Sequence, residues 1–148
     1  MTGWRMGWVV APSRHAIQWA ALSECFNTGC TVFTQPSGIY ALEQADGWVR
    51  QLQEQYSKGR DIVDEFLTGH PRIQHTSPEG GFYAFPRVDG LTDSLAFVQR
   101  ILDEEDVGLA PGSTFGPGNE SNFRLCFAQS HERLEEAMRR IVGFVDRM

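Results

Sequence analysis

A long helical pattern near the middle of the sequence divides the chain into two regions of different character. Apolar residues recur at helical spacing between residues 47 and 68, and Gly69 and Pro71 end the pattern. Asp46 is well placed to cap the amino end of this helix. The sequence therefore predicts a bridging helix over 46–69, with one region before it and another after it. The apolar positions of the helix are Val49, Leu52, Tyr56, Val63 and Phe66.

The region before the bridging helix, residues 1–45, enters an apolar run without a polar lead-in. Residues 4–10 are rich in Trp and Val and predict a strand. Ser13 predicts the N-cap of a helix over about 14–26, and a second short helix fits about 37–45. Because natural domains usually begin with a tail or a cap, we expect this region to be part of a larger domain. The tryptophans are more typical of core and domain-interface packing than of a ligand cage: Trp4, Trp8, Trp19 and Trp48.

The region after the bridging helix, residues 70–148, predicts short strands mixed with helices. A hairpin after Thr76 excludes a purely parallel sheet. The predicted fold class is α/β with an α+β small domain, in which helices cover a mixed sheet. The predicted strands are Ile73–Thr76, Phe82–Val88, Val107–Ala110 and Asn122–Ala128, and the predicted helices are 92–105 and 131–147. The apolar faces are Leu95, Val98, Ile101 and Leu102 in the first of these helices, and Leu134, Met138, Ile141, Val142 and Val145 in the second.

Charge and cysteine content exclude several classes of function. The 148 residues carry a net charge of −6 with acidic and basic residues interspersed, which argues against nucleic acid as a partner. No apolar run approaches the roughly 20 residues that a membrane span needs. An odd number of cysteines without a signal-peptide pattern is typical of reduced thiols in a cytoplasmic protein. Neither the three cysteines nor the four histidines show metal-ligand spacing, so no metal site is expected.

A glycine-rich loop is a candidate for binding, and it has a plain structural alternative. Any arginine of the chain, Arg5 and Arg124 included, can grip an anion through a bidentate guanidinium, but on composition alone an arginine is more often simply exposed. Arg124 lies between Phe123 and Leu125 in a predicted strand and so should face away from both. The loop at 112–118 precedes a strand and not a helix, which disfavours a phosphate cradle and favours packing.

Three short blocks stand in a fixed order along the chain. They read Met-Thr-Gly-Trp-Arg-Met-Gly-Trp over 1–8, Glu-Gly-Gly-Phe-Tyr-Ala-Phe-Pro over 79–86, and Val-Gly-Leu-Ala-Pro-Gly-Ser-Thr-Phe-Gly over 107–116, followed by Phe-Arg-Leu-Cys-Phe-Ala over 123–128. Together they resemble the aspartate aminotransferase family of fold-type I pyridoxal-phosphate enzymes, class I/II. The first block is similar to the segment directly after the cofactor lysine of the family. The second is similar to a strand of its small domain, and the resemblance covers essentially the whole chain.

The resemblance implies the C-terminal part of the fold-type I transferase fold, with a remnant of the large cofactor-binding domain at 1–45, the bridging helix at 46–69 and the small domain at 70–148. It implies an aminotransferase that uses pyridoxal 5'-phosphate to move an amino group between an amino acid and a 2-oxo acid, as a homodimer. Arg5 corresponds to the arginine that contacts the cofactor phosphate. Arg124 corresponds to the arginine that holds the substrate α-carboxylate.

The lysine that forms the Schiff base in the family falls before Met1, so no catalytic residue of the family is expected in this chain. The single lysine of the sequence, Lys58, lies in the predicted bridging helix and does not correspond to it. We therefore expect the chain alone to be inactive and not to bind the cofactor covalently. Two alternatives stay open: another fold-type I activity, such as a carbon–sulfur lyase or a synthase, and a non-catalytic small-domain binding module. An unpaired strand at 4–10 also favours self-association.

Overall fold

The computed structural model describes residues 2–148, which form two compact units. The first unit ends at Arg50 and the second covers Gln51–Met148. The α-helices are α1 (Ala16–Asn27), α2 (Gln35–Gln44), α3 (Asp46–Leu67), α4 (Ser94–Glu105) and α5 (His131–Asp146). The strands are β1 (Ile73–Gln74), β2 (Tyr83–Ala84), β3 (Arg87–Val88), β4 (Ala110–Pro111) and β5 (Phe123–Cys126). None of the helices in residues 2–148 is long and apolar enough to cross a membrane.

The predicted strand at 4–10 is wrong. The chain forms a short 3-10 turn at Thr2–Trp4 and then continues without regular structure to Pro12. Arg5 has a positive φ of 53°, which turns the backbone out of the extended conformation. No strand of the described residues pairs with this segment, and Val10 is 92% exposed. Aromatic and β-branched residues favour a strand only where a neighbouring strand or a core accepts their side chains.

The two short helices predicted for the first unit are present, with shifted ends. α1 stops at Thr28, whose left-handed φ of 57° lets its N–H donate to the carbonyl of Glu24. α2 begins and ends slightly earlier than the predicted 37–45. Ser13 is not the N-cap of α1, because it opens a separate 3-10 turn over Ser13–His15 and no side chain caps α1. The predicted cap is therefore wrong.

The first unit buries almost none of its side chains. Between Gly3 and Arg50 only Thr34 and Gly38 are buried. The tryptophans of this unit are all exposed, so they fill no core within the described residues, and their packing at a domain interface stays a prediction: Trp4, Trp8, Trp19 and Trp48. A unit that buries so little apolar surface gains little hydrophobic stabilisation of its own.

α3 confirms that a helix covers most of the predicted range 46–69, and the boundary between the two units falls within this helix. The helix ends before Gly69, whose φ of 78° is the left-handed conformation that commonly follows a helix. Asp46 is the first helical residue and does not stand outside the helix as the predicted cap. Val63 and Leu67 are fully buried in the second unit, whereas Val49 is exposed in the first.

The strands of the second unit form antiparallel ladders, so the predicted mixed sheet is wrong for the described residues. β5 lies between β2 and β4, and β1 pairs with β3. The predicted strand Phe82–Val88 is in fact two strands that pair with different partners. Pro86 lies between them, and it interrupts the ladder because proline has no N–H to donate.

α4 and α5 bury most of their predicted apolar faces. Asp93 caps α4 by accepting hydrogen bonds of 3.0 Å from the N–H groups of Leu95 and Ala96. The buried face of α4 contains the predicted Val98 and Ile101 together with Phe97. The other two predicted residues, Leu95 and Leu102, are 51% and 53% exposed, so their part of the prediction is wrong. In α5 four residues of the predicted stripe are buried as expected, namely Leu134, Met138, Ile141 and Val145. The fifth, Val142, is partly buried, and Phe144 is buried in addition.

Every buried hydrophobic residue of the described range lies in the second unit. α3 approaches the end of β5 so closely that a Cβ at Gly59 would lie 2.6 Å from the carbonyl oxygen of Phe127. This packing fixes β5, the strand that carries Arg124. The core residues are Val63, Leu67, Ile73, Ala84, Val88, Leu91, Phe97, Val98, Ile101, Val107, Phe123, Leu125, Phe127, Leu134, Met138, Ile141, Phe144 and Val145.

Candidate functional site

Arg124 lies on the outward face of β5. Phe123, Leu125 and Phe127 point into the core, while Arg124 and Cys126 alternate with them and are half-buried. The prediction that Arg124 faces away from its two neighbours is confirmed. The strand thus anchors the backbone on one side and presents a permanently charged side chain on the other.

Two aromatic rings contact the charged end of Arg124. Its guanidinium carbon, Cζ, lies 4.3 Å from the ring centroid of Tyr83 and 4.5 Å from that of Phe115. Tyr83 comes from β2, the strand next to β5, and Phe115 from the turn after β4. These distances are within the range of cation–π contacts, which are attractive because the ring face carries negative charge density. Both rings are partly exposed, so the cluster is open to solvent.

Arg124 donates no hydrogen bond to any protein atom of residues 2–148 and has no carboxylate within 4 Å there. The other three half-buried arginines of this range all donate to protein oxygens, namely Arg60, Arg72 and Arg140. A guanidinium has five N–H donors, and a half-buried charge is unfavourable unless its donors find acceptors. Within residues 2–148, Arg124 therefore keeps its N–H groups without a protein acceptor.

The turn that carries Phe115 is held in place by hydrogen bonds that its backbone N–H groups donate to neighbouring elements. The N–H of Ser113 donates to Oγ of Ser94 over 3.0 Å, and the N–H of Gly112 donates to the carbonyl of Asn122 over 2.9 Å. A Cβ at position 112 would lie 2.2 Å from the carbonyl oxygen of Asn119, so only glycine fits there. Because these N–H groups are already bonded, they are not available as a phosphate cradle. The packing alternative for this loop is thus the one that the geometry favours.

Arg5 belongs to the first unit and lies beside a cavity of about 520 Å³. Its side chain is exposed, and three polar side chains line the cavity with it: Ser23, Asn27 and Thr31. The remaining lining residues are Met6, Gly7, Gly29 and Cys30. A guanidinium together with hydroxyl and amide groups can bind the oxygens of a phosphate. No lysine lines this cavity, and Lys58 is exposed on α3.

Sequence reasoning missed a polar cluster that joins α3 to the loop after β1. His75 is almost fully buried, and its Nε2 lies 2.6 Å from Oδ1 of Asp64. The hydroxyl of Ser77 donates to the other carboxylate oxygen over 2.6 Å. The arrangement is not a nucleophilic triad, because Ser77 bonds to the carboxylate and not to the imidazole. It ties a loop to a helix, and no sequence pattern predicts it because Asp64 is 11 and 13 positions from its two partners.

The contact between Arg124 and Phe115 could not be predicted from the sequence either. Tyr83 lies in the second of the three sequence blocks and Phe115 in the third, but nothing in the sequence places either ring over a guanidinium. The pairing of β4 with β5, Ala110 to Arg124 and Pro111 to Phe123, brings the turn back beside Arg124. Only this ladder register reveals the contact.

Comparisons with known proteins agree on one family. A family model described as aminotransferase class I and II matches residues 1–141. The chain is 37% identical to an aspartate aminotransferase of Pyrococcus horikoshii and 36% identical to an arginine–pyruvate transaminase of Pseudomonas aeruginosa, over 95% of its own length in both. It spans 37% and 36% of these two relatives, a little over a third of each. The crystal structure of an aromatic aminotransferase from Pyrococcus horikoshii superposes with a TM-score of 0.86 and 34% identity, covering 99% of this chain and 40% of that one.

Proposed function

Because the chain belongs to the aminotransferase class I and II family, we propose that it forms the C-terminal portion of an enzyme that transfers an amino group between an amino acid and a 2-oxo acid. The observation that carries the proposal is Arg124, a half-buried guanidinium with unused donors on the outward face of β5. In this proposal residues 1–45 belong to a large cofactor-binding domain and residues 70–148 form the small domain. Residues 46–69 form the helix that connects these two domains.

Arg124 holds the α-carboxylate of the substrate in this proposal. A carboxylate has two oxygens that match the parallel N–H groups of a guanidinium, and the pair of charge-assisted bonds fixes its orientation. Orientation matters for amino-group transfer because the bond to the α-proton must be aligned before the proton leaves. The unused donors of Arg124 support this role, since no acceptor within residues 2–148 competes for them.

Arg5 binds the phosphate of pyridoxal 5'-phosphate in this proposal, since enzymes of this family are pyridoxal-phosphate dependent. The cavity beside Arg5 supports this assignment, because Ser23, Asn27 and Thr31 also line it and carry groups that can donate to phosphate oxygens. When bound, pyridoxal phosphate supplies an electron sink for the negative charge that develops at the substrate α-carbon. The chain's own contribution at this end is to hold the phosphate in place.

The 148-residue chain does not catalyse transfer alone in this proposal, because it has no amine at the position that bonds to the cofactor. Its single lysine, Lys58, lies on the solvent-exposed surface of α3, and the cavity beside Arg5 contains no lysine. Proton transfer and covalent attachment both need such an amine. We also propose that the whole enzyme is a homodimer, as the family resemblance implies.

The proposal is tested by the binding of labelled 2-oxoglutarate to the purified chain in equilibrium dialysis. We expect Arg124→Gln to weaken binding about ten-fold or more, because a hydrogen bond to a charged group contributes roughly 1.5–3 kcal/mol. Arg87→Gln is the matched control, since Arg87 is an exposed arginine on β3. Equal losses in the two variants, or no loss in Arg124→Gln, would contradict the proposal.

A further inference from the structure

We propose that Tyr83 and Phe115 are positioning residues for Arg124: their rings hold the guanidinium in one place and leave its N–H groups to a carboxylate. The inference rests on the proposed carboxylate binding and adds two residues to it. Both rings belong to the second unit, as Arg124 does.

Both rings contact the charged end of the arginine. Each ring centroid lies within 4.5 Å of Cζ, the carbon that joins the three nitrogens. Ordinary apolar packing places an aromatic ring along the stem and leaves the charged end in water. Because two rings contact the same carbon, they necessarily occupy two different directions around it. The guanidinium is therefore restricted on two sides.

The rings are themselves held in place, which is what a positioning role needs. Phe115 packs edge-on against Phe85, with 5.6 Å between centroids and an interplanar angle of 85°. Tyr83 is fixed by the ladder of β2 with β5 and lies 4.6 Å from the Phe82 ring. An arginine side chain has many rotamers, and ordering it on binding has an entropic cost that pre-organisation reduces.

Ring faces also leave the donors of Arg124 available. An aromatic face attracts the cation without taking up its N–H groups as an oxygen acceptor would. A protein carboxylate at the same place would hold Arg124 equally well but would compete with the ligand for the donors. The arrangement therefore combines a fixed position with an unsatisfied charge, and it suits a planar carboxylate ligand.

The test is modification of Arg124 by phenylglyoxal, an arginine reagent, followed by mass spectrometry of the peptides. The rate without ligand reports how freely the guanidinium is reached, and the 2-oxoglutarate concentration that gives half protection reports binding. We expect Tyr83→Leu and Phe115→Leu each to raise the unprotected rate and to raise the half-protecting concentration about two- to five-fold, the size of one exposed cation–π contact. Tyr83→Phe and Phe115→Tyr keep a ring and should behave as the wild type.

Two controls separate this inference from general damage to the fold. Arg133, an exposed arginine of α5 in the same samples, should be modified at one rate in all variants and should not be protected. Leu102→Ala removes an exposed apolar side chain from α4 and should change neither readout. Wild-type behaviour of both leucine variants would overturn the positioning role while carboxylate binding stands. Absence of protection in the wild type would overturn carboxylate binding, and the unprotected rates would then still decide whether the rings restrain Arg124.

Discussion

The guanidinium carbon of Arg124 lies 4.3 Å from the centroid of the Tyr83 ring. The two residues belong to neighbouring antiparallel strands, in which Tyr83 pairs with Cys126. Cys126 is two positions after Arg124 and therefore shares its face of β5. The ladder register, and not a flexible loop, sets the relation between cation and ring. Predictions about this site can thus be made from fixed backbone positions.

Gly112→Ala should destabilise the protein by about 1–3 kcal/mol, the usual cost of forcing an extra methyl group into a packed site. The new Cβ would meet the carbonyl oxygens of Asn119 and Asn122 at 2.2 and 2.4 Å, and backbone atoms cannot rotate away. Gly108→Ala is the matched control, because a Cβ there meets no heavy atom of residues 2–148 within 4 Å. Urea unfolding measures the stability of both variants, and equal unfolding midpoints would contradict the close packing described for this turn.

Glu136 should give the protein a stability that depends on pH. Hydrogen bonds from Arg140 and then Arg139 lower the pKa of the Glu136 carboxyl below its ordinary value of 4.5. A depressed pKa in the folded state means that the stabilisation is complete above the unfolded value and is lost as the pH falls below it. The melting temperature of the wild type should therefore be higher than that of Glu136→Gln at pH 7, and this difference should shrink below pH 4.5.

Glu65→Gln is the control for that series, because Glu65 is an exposed carboxylate with no ion pair among the described residues. Its melting temperature should follow that of the wild type at neutral pH. If the melting temperatures of the wild type and Glu136→Gln differ by the same amount from pH 7 to pH 3, the hydrogen bonds from the two arginines do not act through the charge of Glu136.

The helices could be predicted from the sequence because their signals are local. The spacing of apolar residues along α3 and α5 and the glycine at position 69 lie within each element or next to it. Strand limits depend on partners far along the chain. For this reason Phe82–Val88 was predicted as one strand, although the ladders divide it at Pro86. The apolar run at 4–10 had a strand composition but no partner within the described residues.

The candidate site could be predicted in part for the same reason. Alternation along β5 was sufficient to place Arg124 opposite Phe123 and Leu125. The ring of Phe115 over its guanidinium depends on how the turn folds back, and no pattern within the sequence encodes that distance. The same holds for His75 with Asp64, a pair that only tertiary packing brings together.

We expect the purified chain to self-associate at micromolar concentrations. The strand edges first expected at 4–10 are absent, but large apolar side chains of the first unit are exposed, among them Val10, Ile17 and Phe26. Apolar side chains exposed together favour association in water. Sedimentation velocity should show a coefficient that rises with concentration, less so for Val10→Lys. Leu102→Lys, a change at an exposed position of α4, should sediment as the wild type, and a monomer at all concentrations would contradict the expectation.

Pyridoxal phosphate should form no stable adduct with Lys58. The side chain is exposed on α3, and an exposed amine lacks the surroundings that stabilise a bound cofactor. The check is absorbance in the aldimine region after addition of the cofactor, followed by borohydride reduction and mass spectrometry. Lys58→Gln should give the same spectrum as the wild type. A stoichiometric reduced adduct on Lys58 would show that the chain carries its own cofactor amine.

The most direct test of carboxylate binding is nuclear magnetic resonance of the arginine Nε–Hε groups during titration with 2-oxoglutarate. Arg124→Lys removes one signal and so identifies that of Arg124. The account predicts a saturable shift of the Arg124 signal and none of the exposed Arg87 signal, because only Arg124 is held ready beside two rings with its donors unused. An unchanged Arg124 signal, or equal shifts of all arginines, would contradict it.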